Sequence, residues 1–324
     1  MTRVAVLYGG LSAEREVSLR SGTACGKALR EEGYDVVMID MTTSLMNQLR
    51  DAAPDVIFNA LHGEWGEDGR VQGVLDLYGK PYTHSGVMAS ALAMDKQRAK
   101  AVLSDAGITV PQGRLVARDS LSAGHPMPLP YVIKPNAQGS SVGVFMVEAG
   151  AKTPPNEIAD MPQMGEYVLI EPLIKGRELT VAVMDGKAMA VTEIIPAEGW
   201  YDYKAKYADG GSHHVVPAHI PDDVTQICMR WAEKAHIALG CRGLSRADLF
   251  YAPDGNYPPA AKFSEKNADI NAVLTDIVNK VVMLEVNTQP GMTATSLAPE
   301  QAAFIGLSFN RLCRWIVEDA TWPR

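Results

Sequence analysis

The chain has no surplus of basic charge: 30 Lys and Arg stand against 38 Asp and Glu, a formal net charge of −8. A general nucleic-acid partner is excluded on that ground, because phosphates need a cationic surface to neutralise them. A local basic pocket for a nucleotide stays open. No apolar run approaches the ~18–20 residues of a membrane span, so no membrane partner is expected. Cysteine is scarce: Cys25, Cys228, Cys241 and Cys313 are scattered without paired spacing. That suits a reducing cytosol with no structural zinc, the thiols being buried and inert. The N-terminus enters a strand at once, Arg3 to Tyr8, with no apolar leader region and cleavage site. A cytoplasmic location is the expectation. Two phosphate-binding signatures are also missing. Gly9-Gly10 lacks the G-x-G-x-x-G spacing, and no G-x-x-x-x-G-K-[ST] opens a helix.

What is present is an ordinary globular composition, 47% apolar and 21% charged over 324 residues, enough for two or three domains. The first third alternates strands with helices. Val4 to Tyr8, Asp35 to Asp40 and Asp55 to Leu61 read as strands, which predicts a doubly wound parallel sheet. Ligands bind such sheets outside the carboxyl ends of the strands. Gly9-Gly10 and His62 fall at two of those ends, with Ser12 as N-cap and Glu14 in the first turn of the helix that follows Gly10. Dipole stabilisation for Glu14 and a satisfied structural role for His62 are the plainer readings.

Two later strands carry polar ends. Val281 to Leu284 runs into Glu285 and Asn287, and strand alternation puts these two on one face with Leu284 and Val286 on the other. A carboxylate beside an amide oxygen is a hard-ligand pair of the kind Mg²⁺ takes. The same period places Arg246 and Asp248 on one face of a second strand. In the middle of the chain, a strand ending at Lys134 precedes the Gly139–Gly143 loop and a further strand from Val144 to Glu148. Such a loop either cradles phosphate or is a flexible hairpin. The strand Glu166 to Glu171 leads through Leu173 to Glu178, a pattern compatible with a nucleotide hinge. Trp200 to Tyr207 is either a packed surface loop or a lid. Helices are expected from Met94-Asp95-Lys96 to about Ala106, from Asp222 to Leu239, and from Gln301 to Ala320 with Phe304, Leu307, Leu312, Ile316 and Val317 inward. Pro258-Pro259 and an amphipathic stretch from Ile270 to Val278 separate Asp248 from Glu285.

In order, Leu7-Tyr8-Gly9-Gly10 with Ser12 to Ser18, Ala60 to Gly63 with Gly66 to Gly69, Gly86 to Ala91, Met94-Asp95-Lys96, Lys134-Pro135 with Gly139 to Gly143, Tyr201-Asp202-Tyr203 with Ala205-Lys206-Tyr207, Arg246-Ala247-Asp248, and Glu285 to Thr288 with Pro290 to Thr293 resemble the D-alanine–D-alanine ligase family of the ATP-grasp superfamily. The resemblance covers nearly the whole chain. It implies α/β and α+β architecture: an open parallel α/β domain at 1–95, then two α+β lobes, 96–171 and 172–324, that clamp ATP. It implies ATP and two Mg²⁺ ions, Mn²⁺ being a substitute, with Asp248, Glu285 and Asn287 as metal ligands. Lys96, Lys134, Ser140, Ser141, Glu171, Leu173, Glu178, Lys206 and Asn287 would meet ATP. Glu14 and His62 would orient the first D-alanine, and Arg246, Gly291 and Ser296 the second. Glu14, Ser140, Tyr207 and Arg246 would form the catalytic set, Ser140 and Tyr207 linking to Glu14 to close a lid. The implied product is D-alanyl-D-alanine for peptidoglycan precursors, made by a homodimer. One departure stands out: the segment between Asp248 and Glu285 is longer than the family's usual hairpin. A D-alanine–D-lactate ligase is the near rival, and a non-catalytic nucleotide-binding protein of the same fold the distant one. The second would be expected to lose the metal ligands, which are present.

Overall fold

The computed structural model describes residues 1–139, 143–197, 211–257, 277–293 and 295–323. Strands β1 (Arg3–Tyr8), β2 (Asp35–Asp40) and β3 (Val56–Asn59) form a parallel sheet in the order β2-β1-β3. Parallel neighbours need crossovers, here α1 (Arg15–Glu31) and α2 (Leu45–Ala52). Val4 to Leu7 are all fully buried, an uninterrupted apolar run, because both faces of the sheet are covered. Val4 and Val6 pack with Cys25 and Leu29 of α1. Ala5 and Leu7 pack on the other face with Leu49 of α2 and Leu75 of α3 (Arg70–Tyr78).

Two antiparallel sheets follow. β4 (Arg114–Ala117), β5 (Tyr131–Pro135), β6 (Phe145–Val147) and β7 (Tyr167–Pro172) pair in the order β4-β7-β5-β6. Along β5, Tyr131 and Ile133 enter the core of this lobe, while Val132 and Lys134 face a cleft. Strand alternation produces both faces from one pentapeptide. The second sheet joins β8 (Arg177–Met184), β9 (Lys187–Pro196), β10 (Ser212–Val215), β11 (Leu244–Tyr251) and β12 (Val281–Asn287) in the order β10-β9-β8-β11-β12. Helix α6 (Asp222–Ala238) covers it, with Trp231 1% exposed.

Helix α4 (Val87–Met94) leads into α5 (Lys96–Asp105). Ala99 and Leu103 of α5, with Ile108 and Val110 after it, join the core under the five-stranded sheet. On packing, we propose that the central lobe spans 114–172, so that α5 belongs with the C-terminal lobe and not with the central one.

The pattern from Gln301 to Ala320 predicts one closing helix. The structure has two, α7 (Leu297–Phe304) and α8 (Phe309–Glu318). Gly306, at φ 85°, makes the break, a left-handed conformation that costs glycine little. The break resets the helical phase. Leu312, Ile316 and Val317 are buried against the parallel sheet as expected, whereas Phe304 is 50% exposed. The predicted stretch from Ile270 lies mostly outside the described residues. Its described end, Ile277 and Val278, is buried in the C-terminal core. Among the described residues no helix is long and apolar enough to cross a membrane.

Candidate active site

Strands β11 and β12 are antiparallel neighbours with Arg246 opposite Asn287 and Asp248 opposite Glu285. Four polar side chains from two separate sequence motifs therefore meet at one end of the sheet. Asp248 is 7% exposed. Arg246 grips it in two places, Nε donating to Oδ1 at 2.8 Å and Nη2 to Oδ2 at 2.7 Å. Thr180 Oγ1 donates to the same Oδ1 at 2.6 Å. Such fork geometry fixes the carboxylate's plane as well as its charge.

One sequence expectation needs correction here. Past the Asp248–Glu285 pair the register shifts, and Leu249 faces Met283. Leu284 is thus an extra residue, a β-bulge that locally breaks alternation. Leu284 and Glu285 consequently both line the cleft, where strict period-two reading assigned them opposite faces.

The opposite wall is cationic. Asp95 caps α5 by accepting from Arg98 N at 3.0 Å, and Asn136 Nδ2 donates to the same oxygen at 2.8 Å. This clasp sets the first residue of α5, Lys96, at the mouth of the cleft. Its Nζ donates to Gln138 O at 2.6 Å and lies 3.4 Å from Glu285 Oε2. Lys134 Nζ lies 2.6 Å from Glu171 Oε2, and Lys100 Nζ donates to Glu171 Oε1. Burial pushes the Lys134 ammonium down to about 8, against the pull of Glu285. Burial also holds Lys100 well below the usual lysine range, helped by its neighbours Lys134 and Lys96. Lys100 was not singled out from sequence. It lies four residues after Lys96 and so shares its helix face, yet a lysine pair at that spacing is ordinary on solvated helices.

Between these walls is a cleft open to solvent, with about 960 Å³ of empty space counted together with the solvent at its opening. Lys96, Lys134, Glu171, Glu178, Asp248 and Glu285 supply its charge, and Val132, Met146, Leu173, Phe250 and Leu284 its apolar surface. A lining that combines apolar side chains with charged ones suits a nucleotide. Glu171 is 2% exposed with its carboxylate held by two lysines.

The parallel sheet supplies the second half. Glu14, 7% exposed, is the residue preceding α1. Ser12 is not the helix cap expected from sequence. Its Oγ accepts from Glu14 N at 3.1 Å and donates to His62 O at 2.7 Å, so it ties the two strand-end loops together. A Cβ on Gly63 or Gly139 would fall 2.7 Å or 2.9 Å from Glu14 Oε1. Both glycines are there because the carboxylate occupies the space a side chain would need. Gln138 touches Lys96 and its neighbour Gly139 flanks Glu14. Two consecutive residues thus connect the nucleotide-sized cleft to the end of the parallel sheet.

His62 sits where expected but presents no spare nitrogen. Nδ1 meets Glu67 Oε1 at 3.2 Å and Nε2 meets Ser21 Oγ at 2.9 Å. Ser21 Oγ also accepts from Met292 N at 3.3 Å. In this conformation His62 braces the loop after β12. In that loop Ser296 precedes α7, and its Oγ accepts from Thr293 N at 3.0 Å. The same Oγ lies 3.1 Å from where a Cβ on Gly291 would stand, which puts Gly291 and Ser296 side by side. Ser140, Ser141, Lys206 and Tyr207, with the Trp200 to Tyr207 stretch, lie outside the described residues.

Asp248, Glu285 and Asn287 offer oxygen ligands only. Asn287 Oδ1 is oriented by Gln289 N, which donates to it at 2.8 Å. Two carboxylates now neutralised by Arg246 and Lys96, beside a preset amide oxygen, fit a hard divalent cation. Among the described residues there is no group of three or more His, Cys, Asp or Glu; this set is two carboxylates and an amide.

A cleft between two antiparallel lobes, lysines on one wall and carboxylates on the other, with a parallel α/β domain in front, defines an ATP-grasp ligase. The chain belongs to the D-alanine–D-alanine ligase family: the family's N-terminal model matches residues 3–53 and 43–85, and its C-terminal model matches 104–258 and 266–318. The second match breaks inside the long segment between Asp248 and Glu285. A D-alanine–D-alanine ligase of Cereibacter sphaeroides is 52% identical over 322 residues, covering 99% of this chain and 97% of its own. One from Caulobacter vibrioides is 53% identical over 322 residues, covering 98% and 92%. Among solved structures, the D-alanine–D-alanine ligase of Bacillus anthracis superposes with a TM-score of 0.76 at 30% identity, covering 98% of this chain and 97% of that one. The VanG D-Ala:D-Ser ligase of Enterococcus faecalis superposes with 0.74 at 28% identity, covering 98% of each. The fold is therefore shared by enzymes named for different acceptors.

Proposed function

We propose that this chain joins two D-alanines into D-alanyl-D-alanine at the expense of ATP, through an acyl phosphate, as a step in peptidoglycan precursor synthesis. The observation that carries the reading is the cross-strand pair Asp248–Glu285, facing Lys96 and Lys134 across a cleft whose Gln138 adjoins the Gly139 that flanks Glu14. Lys96 and Lys134 hold the phosphates, Leu173 and Glu171 flank the base, and Glu178 takes the ribose. Two Mg²⁺ ions, held by Asp248, Glu285 and Asn287, would supply charge neutralisation at the transferring phosphoryl group. Glu14 takes the ammonium of the first D-alanine, leaving its carboxylate oxygen to attack the γ-phosphorus. ADP leaves, and an acyl phosphate remains. The amine of the second D-alanine attacks the acyl carbon, and the oxyanion formed meets Arg246 and the Gly291 amide. The intermediate collapses with loss of phosphate and a proton. Positioning and electrostatics do most of the catalysis.

The direct test supplies ATP, Mg²⁺ and D-alanine and measures phosphate and dipeptide. One phosphate per dipeptide is expected. Absence of D-alanine-dependent phosphate would sink the reading, and preferential ester with added D-lactate, or mixed dipeptide with D-serine, would reassign the acceptor. The reading also takes the chain to be a cytoplasmic homodimer, which sedimentation at micromolar concentration checks.

Lys134 makes a pH prediction. Its ammonium stands at about 8 without nucleotide, lowered by burial. An adjacent polyphosphate favours the charged form and raises it. ATP binding near pH 8 is therefore expected to take up protons, and affinity to fall as pH rises through about 8. Calorimetry in two buffers of different ionisation heat reads the uptake directly. Equal apparent heats would show that Lys134 does not change protonation on binding.

A further inference from the structure

Gln289 lies between the proposed metal ligand Asn287 and the acceptor-side residue Gly291, and it is 1% exposed. It makes three hydrogen bonds. Its backbone N donates to Asn287 Oδ1 at 2.8 Å. Its side-chain Oε1 accepts from Asn59 Nδ2 at 2.6 Å, and its Nε2 donates to Leu61 O. Asn59, also 1% exposed, closes β3, and Leu61 immediately precedes His62. One residue thus reads the metal-ligand amide with its backbone and the carboxyl end of the parallel sheet with its side chain.

The amide orientations follow from the network. Asn59 Oδ1 accepts from Leu61 N at 3.1 Å, so Asn59 Nδ2 is the atom at Gln289, and it also donates to Gly66 O at 3.0 Å. A flipped Gln289 would set its NH₂ against the Asn59 NH₂ and its oxygen against the Leu61 carbonyl. Only the observed arrangement pairs both polar atoms of the Gln289 side chain. Gln72 Nε2 donates to Gly66 O at 2.8 Å and Thr83 Oγ1 accepts from Asn59 N at 2.9 Å, so Asn59 itself has little freedom.

We propose that Gln289 is a positioning residue that bolts the Asn287–Gly291 loop to the Leu61–Gly63 loop and so fixes the metal and acceptor groups relative to the first D-alanine. The inference rests on the ligase reading above. Both half-reactions share one carbon: the acyl carbon made at the first site must stand within reach of the second amine. If the two loops drift apart, phosphoryl transfer still occurs, but the acyl phosphate outlives its chance of attack by the amine. Water then attacks the acyl carbon, the bond from that carbon to the phosphate oxygen breaks, and D-alanine and phosphate are released without dipeptide.

Gln289→Met keeps the length and removes both polar atoms, and Asn59→Ala removes the partner from the other side. Either variant is expected to raise phosphate released per dipeptide from one to about two or more, with dipeptide turnover falling roughly 10-fold, as displacement of a reacting group does. The KM for the second D-alanine should rise while ATP affinity stays near wild type. The double variant should cost little more than either single one, since both cut one link. A merely structural role would lower the active fraction and leave the ratio at one, and that result overturns the proposal. Gln289→Glu is the second probe. It retains the acceptor for Asn59 but sets a carboxylate oxygen against Leu61 O, so uncoupling should persist in soluble, folded protein. Tight coupling in that variant also overturns the proposal. Wild type releasing no D-alanine-dependent phosphate would instead sink the ligase reading itself.

Discussion

Arg246→Ala is expected to lower dipeptide formation by roughly 10²–10³-fold while Mg-ATP binding changes little. Arg246 stands opposite Asn287 and grips Asp248 with both arms of its guanidinium. In the proposed reaction it also faces the oxyanion that forms when the second amine attacks. Asp248 keeps its charge and its Thr180 partner in the variant, so the loss should appear in turnover rather than in ATP affinity. Among the described residues, the same substitution leaves the buried Asp248 carboxylate with only the Thr180 hydroxyl. Without a cation the variant should therefore be less stable by ~3 kcal/mol, the cost of breaking a buried pair from one side. Mg-ATP should stabilise the variant and wild type by similar amounts, since its affinity is little changed. Arg246→Lys tests geometry separately from charge, since an ammonium cannot hold two oxygens in one plane. Turnover, calorimetric ATP binding and melting with and without Mg-ATP check all three points. ATP affinity falling in step with turnover would mean that Arg246 belongs to the nucleotide and not to the oxyanion.

Much of this site was legible because its chemistry lies in short motifs at strand ends. Glu285 closes an apolar run and Asp248 precedes one, and alternation alone put Arg246 with Asp248 and Glu285 with Asn287. That β11 and β12 are neighbours, and in the register that sets Asp248 against Glu285, is a long-range fact that no local pattern carries. The bulge at Leu284 is similar: it depends on the partner strand, and it moved a side chain from the core face to the cleft. Ser12 reads as a helix cap by residue type, yet its hydroxyl is used across 50 positions of sequence to hold His62. Lys100 and Gln289 escaped notice for a shared reason. A lysine on a helix and a glutamine in a turn are common surface residues, and only burial makes them informative. The parallel sheet was easier, because complete burial wrote itself into Val4 to Leu7 as an unbroken apolar run.

Asp248→Asn is the other large effect, and it should look different. The variant keeps an oxygen for Thr180 but turns an NH₂ toward the Arg246 guanidinium, which in wild type donates to both carboxylate oxygens. It removes one of only two carboxylates in the proposed metal set. Phosphoryl transfer is expected to fall by about 10³-fold at a fixed, modest Mg²⁺ concentration, and the Mg²⁺ midpoint to rise at least ~10-fold, so that high Mg²⁺ recovers part of the rate. Glu285→Gln should share the Mg²⁺ shift. It also frees Lys96 from its carboxylate partner 3.4 Å away, so its ammonium, still held by Gln138 O, interacts more strongly with the phosphates and some ATP affinity returns at high Mg²⁺. Arg246→Ala should show no midpoint shift. Titrating Mg²⁺ against D-alanine-dependent phosphate release in the three variants separates the roles. A lowered rate in Asp248→Asn with an unmoved midpoint would mean that Asp248 serves only to hold Arg246, and the metal would then have to rest on Glu285 and Asn287 alone. The cross-strand register argues otherwise: it sets Asp248 directly opposite Glu285, so a divalent cation bound by Glu285 would lie beside the Asp248 carboxylate as well.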